Sequence, residues 1–238
     1  MLKEMLEKIE SMAAPTTIKV GTKQYADKNM YFVTDEKNRP GSIDVTGLDS
    51  ISKLVRNEAE KIGLKLFVQI ESHNTVRVFT TYDEDLERHT LYRCKADTPN
   101  VTIGRFMSYE NAIIEIRSLY IPNDDTAYLL TLLSSISNES KVTSSDNGVT
   151  QKVEAKSGIA LSSMVEVKPR VSLKPFRTFV EVEQPESDFL LRIDQSGQIG
   201  LYSADGGVWK LEATRNIASY FENDLKDLIE AGKVVVIR

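Results

Sequence analysis

The chain has 238 residues, of which 41% are hydrophobic and 27% charged, a globular composition that excludes a disordered tail. Thirty Lys and Arg residues against thirty-five Asp and Glu residues give a net charge of -5, which argues against a protein that coats nucleic acid. One cysteine and two histidines exclude an intramolecular disulfide and a conventional zinc site.

The first residues predict an amphipathic helix that ends near Pro15. Its large apolar residues recur on one helical face: Leu2, Met5, Leu6, Ile9 and Met12. This stripe could dock on its own domain or on a neighbouring subunit, and the sequence leaves both alternatives open. Because charges interrupt the segment and no apolar run approaches about 20 residues, we expect a cytosolic protein with no signal peptide or membrane span.

Short strands and helices alternate up to residue 140. The β-rich segments are 17–20, 30–34, 64–70, 75–82 and 89–95, of which the last three predict an antiparallel meander. A helix is expected at 48–62, with Gly63 as its stop. Two further helices, capped by Ser108 and by Asp124 or Asp125, predict a helical hairpin packed on the sheet.

The composition changes near residue 140, where a polar, helix-poor stretch begins. Beyond it we predict a helix at 212–231 and strands at 150–155, 160–167, 176–182, 189–193, 199–203 and 234–237. Pro169 and Pro175 indicate an extended segment that stays off any central strand. The expectation is an α+β fold with mostly antiparallel sheets. Residues 1–140 form an α+β domain, and residues 141–238 a β-rich segment with a C-terminal helix, packed together as one unit.

Residues with catalytic potential are few. The chain lacks the nucleophile-elbow, phosphate-loop, dinucleotide and zinc-protease motifs, so we expect no enzyme activity, catalytic residue, cofactor or metal. His73 and His89 are interpreted as ordinary exposed histidines, and Cys94 as a small buried residue of a strand. The acidic cluster Asp83, Glu84, Asp85 and Glu87 could hold a hard cation, but a solvated hairpin tip is favoured.

The charge is unevenly distributed. Residues 141–179 contain seven bases and three acids, a net +4, so the rest of the chain carries -9. This asymmetry favours an anionic ligand, or head-to-tail contact between a basic face and an acidic face of identical subunits, the acidic body and the basic extended segment. The extended basic segment could also pair with a neighbour's sheet edge. The alternative is an edge strand with solvated lysines. The candidate ligand or interface residues are Lys168, Arg170, Lys174, Phe176, Arg177, Phe179, Arg192, Trp209 and Lys210. Trp209 could stack on a base or fill the core.

Three strings carry a resemblance: DNGVTQKVEAKSG at 146–158, VSLKPFRTFVEVEQPESDFLLRI at 171–193 and ADGGVWK at 204–210. They resemble a family of uncharacterised phage and prophage proteins related to the enterobacterial prophage protein YfdQ and its domain of unknown function. The resemblance is specific in the C-terminal half. It implies phage origin and brings no enzyme activity and no catalytic residues.

The leading hypothesis is a non-enzymatic phage protein in the cytoplasm of a bacterial host, which self-assembles into a ring-like or shell-like homo-oligomer. One alternative is a counter-defence protein that sequesters a small anionic nucleotide signal on the basic residues and neighbouring aromatic rings. A third hypothesis is an accessory factor for phage recombination that acts on single strands, although the net acidity disfavours nucleic acid as a partner.

Overall fold

The computed structural model describes residues 2–13, 16–20, 23–26, 41–83, 86–137, 141–146, 151–156, 163–194 and 196–238. The chain divides into two units, an N-terminal unit, Met1–Pro40, and a main unit, Gly41–Arg238. The fold is α+β with mostly antiparallel sheets, as the sequence predicts. Within the described ranges, no helix is long and apolar enough to cross a membrane.

The N-terminal unit contains helix α1 (Leu2–Ala13) and an antiparallel hairpin of β1 (Thr17–Val20) and β2 (Lys23–Ala26). Helix α1 matches the amphipathic helix expected from the sequence. Leu2, Met5, Leu6 and Ile9 of its apolar stripe are exposed. The strand expected at 30–34 lies outside the described residues.

In its described residues the main unit contains five helices: α2 (Leu48–Ile62), α3 (Tyr109–Leu119), α4 (Asp124–Ser137), α5 (Trp209–Asp224) and α6 (Lys226–Glu230). Its strands are β3 (Ile43–Val45), β4 (Leu66–Ser72), β5 (Thr75–Thr80), β6 (Thr90–Lys95), β7 (Phe106–Met107), β8 (Tyr120–Ile121), β9 (Lys141–Asp146), β10 (Gln151–Lys156), β11 (Ser163–Val167), β12 (Arg170–Pro175), β13 (Ser187–Ile193), β14 (Ile199–Ser203) and β15 (Val234–Ile237).

The first sheet has the strand order β15-β4-β5-β6-β3. Its centre, β4 to β6, is the predicted antiparallel meander, whereas the edge strands β15 and β3 run parallel to their neighbours. Alternate residues of these strands face helices α2 and α5 and form the first core with Val55, Ile217 and Phe221. The other face of this sheet carries residues that are half-buried or exposed, with the exception of Phe79.

The second sheet has the strand order β7-β14-β13-β12-β8, and every pair in it is antiparallel. The helical hairpin of α3 and α4 packs on it and forms a second core with Leu129, Leu133, Leu173 and Phe189. Strands β7 and β8 precede residue 140 and β12 to β14 follow it, so both sides of the expected domain boundary build this sheet. Strands β9, β10 and β11 form a separate antiparallel sheet, of which β9 was not expected.

Two expectations about the strands were wrong. The segment between the two prolines forms β12, which lies between β13 and β8 in the sheet order, and Pro175 is tolerated because it is the last residue of the strand. Residues 176–182, expected as a strand, form a turn instead. The expected C-terminal helix begins earlier, at Trp209, and is interrupted at Leu225, where the backbone leaves helical geometry.

The helix ends show which capping predictions were correct. Ser108 caps α3, because its hydroxyl accepts the N–H of Asn111 at 3.3 Å. Helix α4 is capped by Asn123 instead of Asp124 or Asp125: the side-chain oxygen of Asn123 accepts the N–H of Thr126 at 2.8 Å. Gly63 ends α2 in the left-handed region at a φ of 67°.

Residues 176–186, here called the junction segment, connect β12 to β13 and contact both cores. Phe179 is buried in the first core. A carboxylate oxygen of Glu181 accepts the N–H of Leu48 at 2.9 Å and caps α2, while a side-chain amide of Asn216 on α5 donates to the carbonyl of Glu183 at 3.0 Å. The most distinctive string of the sequence therefore fixes one sheet and its helices against the other.

Candidate functional site

The basic residues along β12 are engaged within the protein. Three ion pairs are formed: Lys168 with Asp125 at 3.0 Å, Arg170 with Asp188 at 3.3 Å, and Lys174 with Glu183 at 3.2 Å. The hydrogen bond with Asp125 raises the pKa of Lys168 above its usual value. These cations are therefore partly neutralised before any ligand or second subunit arrives.

The outer edge of β12 is covered at Ser172 by the first turn of α4. A carboxylate oxygen of Asp125 accepts the N–H of Ser172 at 2.7 Å, and the side-chain amide of Asn123 donates to the carbonyl of Ser172 at 2.8 Å. Both outward backbone groups of this residue are thus satisfied by side chains. The sheet-edge contact with a neighbouring subunit that the sequence suggested is closed at this point.

Arg177 is the fourth base of the segment, and it is buried with only 8% of its surface exposed. Its guanidinium carbon lies 3.9 Å from the ring centre of Trp209 and 5.6 Å from that of Phe189. An Nη2 hydrogen is donated to the hydroxyl of Ser187 at 2.5 Å, and that hydroxyl donates to a carboxylate oxygen of Asp205 at 2.9 Å. The cation therefore links the junction segment, β13 and the start of α5.

Burial lowers the pKa of Arg177 to about 10, against the opposing effects of Asp205 and Tyr120, so the guanidinium stays charged at neutral pH. The Nε atom of Arg177 and the hydroxyl of Tyr120 are both buried, and neither has a hydrogen-bond partner among the described residues. Because so little of Arg177 reaches the surface, we assign it a structural role in the contact between the cores.

Gln184 holds the backbone of the junction segment in place. Its side-chain oxygen accepts the N–H groups of Arg177 at 2.9 Å and Thr178 at 3.2 Å, and its amide donates to the carbonyl of Phe179 at 2.8 Å. The hydroxyl of Thr178 donates to the carbonyl of His73 at 2.5 Å, at the turn between β4 and β5. The polar residues of this string therefore satisfy buried backbone groups.

The other candidate residues do not converge on one pocket. Phe179 is part of the first core, Phe176 is half-buried, and the guanidinium of Arg192 donates to the adjacent carbonyl of Leu191 at 3.3 Å. Lys210 is exposed, with its ammonium nitrogen 5.8 Å from the ring centre of Trp209. Trp209 itself is buried beneath Arg177. The structure thus brings Arg177, Trp209 and Lys210 together, because both cations lie over the tryptophan ring.

The residues considered for catalysis have structural partners. Burial raises the pKa of the Cys94 thiol to about 12, so the thiol is protonated at neutral pH and a poor nucleophile. Both histidines are half-buried, unlike the exposed histidines that we expected. His73 packs edge-on against Trp209 at 4.8 Å between ring centres, and burial lowers its pKa. The Nε2 atom of His89 lies 2.7 Å from a carboxylate oxygen of Asp83.

The acidic loop after β5 is closed by its own backbone. A carboxylate oxygen of Asp83 accepts the N–H of Glu87 at 3.0 Å, as in a tight loop. One potential ligand atom each from Asp83, Glu87 and His89 lies within 4.8 Å of the others. Residues 84 and 85 of the cluster lie outside the described residues. The arrangement fits the hairpin-tip interpretation.

Comparisons of the chain with protein-family models, with curated proteins and with solved structures found no match. The site must therefore be interpreted from its own geometry.

One further surface was not among the sites expected from the sequence. It is the face of the first sheet that points away from α2 and α5, here called the outer face. Tyr82 and Arg88, from the loop between β5 and β6, lie on it together with outward residues of three strands: Phe67, Gln69, Glu71, Arg77, Phe79, Arg93 and Lys95. The rings of Phe67 and Phe79 stack with 5.4 Å between their centres. The guanidinium of Arg88 lies 5.3 and 5.4 Å from these rings.

Exposed cations continue the outer face toward β3. Arg93 and Lys95 are exposed, and they border an open groove of about 600 Å³ with Asp44, Thr75, Ala96 and Asp97. The signal for this surface was present in the sequence, because Arg93 and Lys95 alternate with Tyr92 and Cys94, which are buried.

Proposed function

We propose that this chain is a non-enzymatic, phage- or prophage-encoded protein of the bacterial cytoplasm that self-associates through the apolar stripe of α1. The supporting observation is the exposure of that stripe: Leu2 is 78% exposed, Met5 64%, Leu6 53% and Ile9 55%. The proposed phage origin is supported by the three strings of the C-terminal half and the family that they resemble.

A helix of 12 residues is marginally stable in water unless it packs against a partner. The spacing of Leu2, Met5 and Ile9 is the three-then-four pattern that lines the seam between helices of a coiled coil. Since such a seam is complementary to itself, a second copy of α1 is the partner that this sequence fits. A bundle of α1 helices would close as a ring-like homo-oligomer with a defined number of subunits.

The energy of this contact is sufficient for reversible association. Full burial of a large apolar side chain contributes about 1.5–3 kcal/mol, and roughly 60% of that remains to be gained by residues that are about 60% exposed. Four such residues on each of two copies contribute roughly 7–15 kcal/mol, against an association cost of roughly 4–15 kcal/mol. We therefore expect an oligomer whose mass depends on protein concentration.

The contact proposed here replaces the charge-driven contact suggested by the sequence as the main source of association. The acids that pair with Lys168, Arg170 and Lys174 belong to the same chain. An apolar contact is not weakened by salt, whereas contact between charged surfaces is screened at about 0.15 M salt and above.

Light scattering on the full chain over a range of protein concentrations tests this proposal. The wild type should gain mass with concentration and reach a plateau, at low and high salt alike. Leu6→Glu combined with Ile9→Glu should remain monomeric while keeping its thermal unfolding transition. Lys3→Gln combined with Lys8→Gln changes the net charge of α1 by the same amount and leaves the stripe intact, so it should associate like the wild type.

A wild type that is monomeric at every concentration would contradict self-association. If the Leu6→Glu and Ile9→Glu variant associated normally and high salt dissolved the oligomer, α1 would be excluded and a charged contact would be supported instead.

A further inference from the structure

We propose that the outer face of the first sheet binds single-stranded nucleic acid, with Arg93 and Lys95 contacting phosphates and the ring of Tyr82 and the plane of Arg88 providing stacking surfaces. This inference is independent of self-association, because it concerns the main unit and not α1.

The outer face carries an exposed aromatic ring beside an arginine plane. Tyr82 is exposed, and the guanidinium of Arg88 lies 4.4 Å from its ring centre. The same guanidinium lies over the stacked rings of Phe67 and Phe79. Aromatic rings and arginine planes are the surfaces on which unpaired bases stack without sequence preference.

Positively charged side chains lie on the same face of the sheet as these rings. Arg93 pairs in register with Arg77 on β5 and with Asp44 on β3, and Lys95 pairs with Thr75. Arg77 forms an ion pair with Glu71, with 2.9 Å between its Nε atom and a carboxylate oxygen. Arg93 and Lys95, in contrast, have no ion pair or hydrogen bond of their side chains among the described residues. They are therefore available to phosphates, with Asp44 and Asp97 as the acids beside them in the groove.

The outer face is large enough to hold two or three bases. From Lys95 to the level of Phe79 the strands extend about 13 Å, and the three strands β4 to β6 are about 10 Å wide. Open antiparallel sheets with outward aromatic residues stack two or three bases on an area of this kind. The groove of about 600 Å³ beside Arg93 and Lys95 would receive the strand where it leaves the rings.

The combination of rings and cations on the outer face favours single strands over duplexes. A duplex hides the faces of its bases, so the rings of the outer face would contribute nothing, and the net charge of -5 opposes binding through phosphates alone. A single strand gains from both rings and cations. Two phosphate contacts through Arg93 and Lys95 predict binding about sevenfold weaker at about 200 mM than at about 50 mM salt.

The experiment is a fluorescence anisotropy titration of a labelled oligothymidylate of about 15 nucleotides with the full chain at low salt. Saturable binding is expected, and Arg93→Glu combined with Lys95→Glu should weaken it tenfold or more. Arg105→Glu combined with Arg117→Glu makes the same charge change at exposed positions beside β7 and on α3, and should weaken it by less than threefold. Tyr82→Ala should weaken binding more than Tyr82→Phe, which keeps the ring.

Two competitors distinguish the source of the ligand. A duplex of equal length should compete weakly, and thymidine monophosphate should compete only at concentrations far above those of the oligonucleotide. No saturable binding at low salt, or equal losses in the two charge-reversed variants, would overturn the proposal. Competition by the mononucleotide as effective as that of the strand would also overturn it and assign the face to free nucleotides.

Discussion

The two five-stranded sheets carry similar numbers of bases but use them differently. On β12 and the junction segment, Lys168, Arg170 and Lys174 are paired with carboxylates, and Arg177 is buried against Trp209. On the outer face of the first sheet, Arg93 is exposed and has no such partner among the residues described. The local net charge of a segment therefore does not indicate which of its cations can bind a partner.

The physical reason lies in what surrounds each strand. Strand β12 lies between β13 and the first turn of α4, which supplies Asp125, so its cations meet carboxylates of their own chain. Helices α2 and α5 cover one face of the meander of the first sheet, and Arg93 and Lys95 on the opposite face of β6 are exposed. The same residue types thus stabilise the fold in one sheet and remain available in the other.

The largest effect should come from removing the buried cation. Arg177→Ala loses the stacking on Trp209, worth about 2 kcal/mol when desolvated, and a charge-assisted hydrogen bond to Ser187, worth about 1.5–3 kcal/mol. Relief of the cost of burying the charge offsets part of this loss, so we expect destabilisation of about 3 kcal/mol by urea unfolding. Arg177→Met, which fills the space without a charge, should lose less. A loss below about 0.5 kcal/mol in Arg177→Ala would mean that this base resembles the exposed ones.

A smaller effect should appear in acid at Asp205. Burial alone would raise its pKa, but N–H groups of Gly207 and Trp209 and hydroxyls of Ser187 and Ser203 donate to it and hold the pKa below its usual value. The resulting stabilisation is complete above the unfolded pKa of about 3.9 and is lost as the pH falls through the lower, folded value.

Wild-type unfolding free energy should therefore decline from about pH 5 downward, and Asp205→Asn should decline less steeply. At neutral pH the variant should be less stable by about 1.5 kcal/mol, because hydrogen bonds to a charged acceptor are weakened. Urea titrations at several pH values measure both quantities. Parallel pH curves for the two proteins would show that Asp205 does not carry the linkage.

The smallest effect should follow from neutralising the paired bases of β12. Lys168→Gln combined with Arg170→Gln removes two ion pairs whose cations are more than half exposed, and solvent-exposed pairs of this kind add little to stability. The melting temperature should change by a few degrees at most. Unfolding of the variant at physiological temperature would show that these pairs, and not Arg177, hold the second sheet together.

Much of the fold could be predicted from the sequence because it depends on local patterns. The periodicity of residues 48–62, the alternation in β4 to β6 and the serine before α3 each identify an element with its face or its cap. Errors arose where a distant partner decides the structure. The segment between Pro169 and Pro175 became a strand because β13 and β8 pair with it, and residues 176–182 became a turn because Gln184 binds their backbone.

The candidate site was less predictable for the same reason. Ion pairs such as Lys168 with Asp125 join residues 43 positions apart, and no periodicity reveals them. The basic part of the outer face could have been found, because Arg77 in β5 and Arg93 and Lys95 in β6 alternate with the buried residues Val76, Val78, Tyr92 and Cys94. The meeting of these bases with the aromatic rings on one surface required the register of three strands.

The contrast between the sheets is tested most directly by titrating a labelled single-stranded oligonucleotide with two variants that each remove two positive charges. Arg93→Gln with Lys95→Gln should weaken binding about tenfold, whereas Lys168→Gln with Arg170→Gln should bind within about twofold of the wild type. Equal weakening by both variants, or a loss confined to the β12 variant, would show that the two sheets do not differ in this way.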